Sequence, residues 1–177
     1  MDWDERLFAF LDDLEQQAQT LYAVDRASEL ADRSRSEYAG VTLVTRLMAS
    51  MGREVTLDLT GVGQVGGRLQ RVGPDWCLVH GAAQDWMVRL PAVTAVEGAS
   101  ERSVPEVAWS PVSRLGLGSA LRRLADTGTE CRLHAMDGSV RDARLVRVGS
   151  DFVEAVIGEG RVVLVARDAL AAVQSRT

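Results

Sequence analysis

The sequence predicts a mainly β protein with α: two tandem five-stranded units, each preceded by a short helix, plus a long amphipathic N-terminal helix. Three observations predict it. Apolar residues alternate along short segments set between turn signals from residue 53 onward. One block of these recurs 76 residues further on. Residues 3–37 contain neither Gly nor Pro, and their apolar residues return at helical spacing.

The N-terminal element is read as an acidic amphipathic helix over residues 1–39. Leu7, Leu14 and Leu21 form one row, Trp3, Phe10 and Val24 the next, and Leu11 and Ala18 widen the stripe. Asp2, Asp4 and Glu5 suit the positive end of the helix dipole, Arg33 and Arg35 the negative end, and Gly40 a stop. Such a helix would be roughly 50 Å long at ~1.5 Å per residue, longer than a small domain can cover. Its surplus apolar surface calls for coiled-coil pairing or another subunit, unless the chain breaks near Asp25 and folds back on itself.

The repeat organises the remainder. Leu69-Gln70-Arg71-Val72-Gly73-Pro74-Asp75-Trp76 returns as Leu145-Val146-Arg147-Val148-Gly149-Ser150-Asp151-Phe152. The same offset pairs Arg46 with Arg122, Gly52 with Gly128 and Leu57 with Leu133. Inward-facing Val55, Leu57 and Leu59 correspond to Cys131, Leu133 and Ala135; outward-facing Glu54, Thr56 and Asp58 correspond to Glu130, Arg132 and His134. The first unit, 41–98, is expected to hold a helix over 41–51 and strands near 53–60, 65–72, 75–81, 84–90 and 92–97. The second, 116–177, is expected to hold a helix over 117–127 and strands near 129–136, 139–148, 151–157, 160–167 and 169–174. Asp137-Gly138 is a hairpin signal. Residues 99–115 read as a linker whose Trp109 packs against the folded part.

Charge and composition narrow the function. The first 40 residues carry ten acids and four arginines, which accounts for more than the whole net charge of −5. No basic stripe of a general polyanion binder is present. All 20 basic residues are arginine, and Lys and Asn are absent, a mark of GC-rich coding rather than of nucleic-acid recognition. No apolar run approaches the ~18 residues of a membrane helix, and the acidic start differs from a secretory or transit signal. A cytoplasmic location without a membrane partner is expected. Cys77 and Cys131 then read as buried thiols.

A helix followed by five bent strands is the plan of the Sm-like, SH3-like small barrel, and the second unit resembles the Hfq family. The resemblance runs from Ala120-Leu121-Arg122-Arg123, through Asp137-Gly138 and Leu145, to Asp151-Phe152-Val153 and Val165-Ala166-Arg167-Asp168-Ala169-Leu170-Ala171-Ala172-Val173. It implies two tandem Sm-like (SH3-like) five-stranded barrels that pair through their edges, and an RNA face. Phe152 falls where the family stacks a base, with Trp76 as its first-unit counterpart, and Arg167 falls near the family's Lys. Asp168 replaces the His of that motif and Ala166 its Tyr, which turns the face against phosphate. Arg71, Trp76, Arg147, Phe152 and Arg167 are therefore the candidate residues for RNA or a protein partner.

Other motifs lack their chemical context. Gly61-Val62-Gly63-Gln64-Val65-Gly66 fits a dinucleotide fingerprint, but Gly73-Pro74 follows too soon for the required helix, so a hairpin is expected. His80 and His134 have no set of neighbouring ligands, and His134 is expected on the exposed face. No catalytic residue, metal or cofactor is assigned. The reading is a non-enzymatic assembly or regulatory protein, at least dimeric through the N-terminal helix, the barrel edges or both; an Hfq-like RNA-binding post-transcriptional regulator is the alternative. Residues 162–165 are an apolar strand suited to edge pairing.

Overall fold

The computed structural model describes residues 38–176 together with residues 16, 22, 26, 35 and 36, which are helical and exposed. The chain divides into two units, Met1–Val41 and Thr42–Thr177. The apolar stripe expected along residues 1–39 lies outside the described residues.

Strands within Thr42–Thr177 are β1 (Glu54–Leu59), β2 (Gly63–Val72), β3 (Trp76–His80), β4 (Asp85–Arg89) and β5 (Val93–Glu97), then β6 (Glu130–Ala135), β7 (Val140–Val148), β8 (Phe152–Ile157), β9 (Arg161–Ala166) and β10 (Leu170–Ser175). Their bounds lie within two residues of those read from the alternation. Helix α1 (Leu43–Met48) opens with a capping box, in which Thr42 Oγ1 accepts from Thr45 N–H at 3.3 Å and Thr45 Oγ1 accepts from Thr42 N–H at 3.1 Å. Helix α2 (Leu117–Thr127) ends on Gly128, whose φ of 63° is the left-handed turn that favours glycine. Its start has no local side-chain cap; Asp75, on the β2–β3 turn, accepts from Leu117 N–H at 2.7 Å instead.

The repeat carries over into the register, with a one-residue slip in the hairpin before β9, so that the last two strands of each set correspond at an offset of 77 rather than 76. Leu57 stands opposite Val96 as Leu133 stands opposite Val173. Arg71 stands opposite Leu78 as Arg147 stands opposite Glu154, each just past a bulge. Trp76 faces Arg89 as Phe152 faces Ala166. Each five-strand set thus runs in the same order, and each is backed by its own apolar core, one around Leu47, Leu57 and Leu69, the other around Leu121, Leu133 and Leu145. Trp109 is buried in the first core, its indole N–H donating to Val104 O at 2.9 Å.

The expectation of two five-stranded barrels is corrected. The ten strands form one antiparallel sheet in the order β5-β1-β2-β3-β4-β10-β6-β7-β8-β9. The physical reason is the β4–β10 ladder, in which Ala172 faces Val88, Val173 faces Met87 and Gln174 faces Trp86. That ladder takes one edge of each five-strand set, which separate barrels would have closed on themselves. No coiled coil is borne out among the described residues, where the helices with determined bounds are short, 6 and 11 residues; the apolar stripe over residues 1–39, where it was expected, lies outside them.

His134 is a third correction. It is 8% exposed rather than solvated. β10 and β4 cover its face, its Nε2 lies 2.9 Å from Gln174 Oε1, and its ring centroid is 5.1 Å from that of Trp86. The glycine-rich motif is the expected hairpin between β1 and β2. Gly61, at φ 74°, lies so close to the carbonyls of Ala135 and Met136 that a Cβ there would sit 2.6 Å from both.

Candidate functional site

The β4–β10 junction is built by side chains that cross between the halves. Met87 and Trp76 belong to the first five strands but pack against the second core, while Ala172, from β10, is buried in the first. A strand's side chains alternate between faces, so Val88 fills its own core and Met87 that of its neighbour. Arg89 completes the rim, donating to Asp168 Oδ1 at 2.7 Å and to Asp168 O at 3.1 Å. Gln174 Nε2 donates to Gln84 Oε1, and Ser175 Oγ accepts from Asp85 N–H at 2.8 Å.

The sheet ends in two edges that the repeat identifies with this same pair. β9 is the counterpart of β4, and β5 that of β10. Leu164 therefore corresponds to Met87, Val165 to Val88, Val96 to Val173 and Ala95 to Ala172. Positions covered at the junction are open at the edges: Leu164 is 66% exposed where Met87 is half-buried, and Ala95 is exposed where Ala172 is buried. An apolar edge strand with free backbone groups is a template for another strand.

The charge at the edges is complementary. Gln84 and Gln174, which bond across the internal junction, correspond to Arg161 and Glu97. Both are exposed, and among the described residues neither has an ion-pair partner.

The structure brings two of the five candidate residues together. Arg71 and Trp76 line one cavity of about 450 Å³ bounded by β2, β3, β4, the preceding linker and α2. The Trp76 indole N–H donates to Leu115 O at 2.8 Å, which fixes the ring. The other three lie elsewhere. Arg147 is paired with Glu154 at 2.9 Å. Phe152 is half-buried and its ring covers Gly149. Arg167 lies over Gly118 at the first turn of α2, in a cleft it shares with Arg122 and the carboxylate of Asp75. Asp168 is held by Arg89.

Both thiols are shielded. Burial pushes Cys77 up to about 12, and burial with the nearby Asp142 charge pushes Cys131 up to about 11. His80 shares an exposed contact of 2.6 Å with Asp85. Among the described residues no three His, Cys, Asp or Glu side chains are grouped to hold a metal ion, and no helix is long and apolar enough to cross a membrane. Searches against protein-family models and curated proteins gave no match.

Proposed function

We propose that the chain is a non-enzymatic, cytoplasmic assembly protein whose copies join edge to edge. One observation carries this reading: the internal β4–β10 junction has its counterpart strands, β9 and β5, left open at the two ends of the sheet. Transferring the internal register places Val165 of one copy opposite Ala95 of the next, Leu164 opposite Val96, and Val163 opposite Glu97. Leu164 then enters the first core of the next copy as Met87 enters the second core of its own chain. Arg161 meets Glu97 where the two glutamines meet internally. The contact is head to tail, so it closes into a ring or extends as a filament according to the rotation between copies. Kinship with Hfq-like proteins is proposed alongside it, on the residue matches around Asp151-Phe152-Val153 and Val165-Ala166-Arg167.

Light scattering on the full chain and on Leu164→Arg tests the proposal. Leu164 is mostly solvated within its own chain, so the substitution leaves thermal unfolding of the chain largely unchanged while placing a charge in the next copy's core. The reading expects a lower mass for the variant. An unchanged mass contradicts it.

A further inference from the structure

We infer that the cavity beside Trp76 binds an amphiphilic organic anion, a carboxylate carried on an apolar body. Its volume of about 450 Å³ falls in the ~300–1,000 Å³ range of small-molecule sites. Its walls are mostly apolar, and three large side chains on them remain open to solvent: Met51 at 45%, Leu115 at 49% and Val112 at 60% exposed. Because its N–H is already taken by Leu115 O, Trp76 offers the site an apolar ring.

The polar end of the ligand is set by two arginines. Arg71 from β2 and Arg123 from α2 both line the cavity, no carboxylate does, and among the described residues neither guanidinium has a partner. The repeat shows why Arg71 is free. Its counterpart Arg147 stands opposite Glu154 and is neutralised by it, whereas Arg71 stands opposite Leu78. Arg123 likewise replaces an apolar residue, since its counterpart Leu47 is fully buried in the first core. Two unpaired guanidiniums beside an apolar wall suit a carboxylate, which arginine binds with charge-assisted hydrogen bonds.

Calorimetric and tryptophan-fluorescence titrations of the full chain with sodium decanoate test the inference, with decan-1-ol as the uncharged analogue. Decanoate is expected to bind saturably with one site per chain, to change a fluorescence signal that Trp76→Phe abolishes, and to bind at least tenfold more tightly than decanol. Arg71→Ala with Arg123→Ala should weaken decanoate at least tenfold and leave decanol unchanged; circular dichroism establishes that the exposed substitutions keep the fold. Leu78→Glu, which supplies the partner found opposite Arg147, should weaken decanoate in the same way. No saturable binding, equal binding of acid and alcohol, or undiminished binding by the double variant would each overturn the inference. None of these readouts depends on chain mass, so they stand apart from the assembly proposal.

Discussion

Met87, on β4, lies opposite Val173, on β10, and both pack into the second core although Met87 belongs to the first five strands. The relationship makes each half incomplete alone. It also gives the open edge at Leu164 a physical meaning, because that residue holds the same register position with no core to enter in its own chain.

The cores should respond alike. Leu57 is 0% and Leu133 3% exposed at matching positions. Replacing either with Ala should cost on the order of 2–5 kcal/mol in urea unfolding. Thr56→Ala, one residue away on the other face, should cost about 1 kcal/mol or less. Greater sensitivity at Thr56 would mean that the strand phase is wrong.

Asp75 links the halves through a helix start. Its carboxylate accepts the Leu117 amide at 2.7 Å, so Asp75→Ala should destabilise the chain by about 0.5–2 kcal/mol, as loss of an N-terminal cap does. Asp75→Asn keeps an acceptor oxygen and should recover most of the loss. Equal losses for Ala and Asn would remove the cap from the account.

The thiols make stability fall in alkali. Folded Cys77 and Cys131 ionise near 12 and 11, against an ordinary value of 9.0. A raised folded-state value stabilises fully below about pH 9 and is lost as pH rises toward the folded values. Iodoacetamide at pH 8 should leave both thiols unmodified in the native chain and label both in denaturant. Rapid native labelling would contradict their burial.

RNA binding should be weak. Arg147 is occupied by Glu154, and the carboxylate of Asp75 lines the same cleft as Arg167, which opposes phosphate where a single-strand site needs cations. Fluorescence anisotropy with uridine- or adenine-rich oligomers at physiological salt should show no submicromolar binding. Tight, salt-sensitive binding lost in Arg147→Ala or Arg167→Ala would favour the Hfq-like alternative.

Local features were legible in the sequence because they are written locally. Val55, Leu57 and Leu59 alternate with polar neighbours, and Asp137-Gly138 marks its hairpin by chemistry that needs no tertiary context. The β4–β10 ladder joins strands some 85 residues apart and has no periodic signature. A signal was nevertheless present in the difference between repeats: Asp58 and Glu97 of the first half become His134 and Gln174 in the second. The loss of both carboxylates marks the face that the sheet buries, but the alternation of His134 with Glu130 and Arg132 hides it and reads as a solvated face. In the cavity, Arg71 and Trp76 were visible as candidates from the repeat. Arg123 was not, because its role depends on where the linker sets α2 against β2.

The edge-to-edge account is tested most directly by exchanging charge across the inferred junction and measuring mass by light scattering at low and physiological salt. Glu97→Arg alone sets like charges against Arg161 of the next copy, and Arg161→Glu alone sets them against Glu97. Each single variant should lose mass relative to the native chain, and the double variant Glu97→Arg with Arg161→Glu should regain it. Identical masses for all four proteins, or a double variant no larger than the singles, would contradict the account.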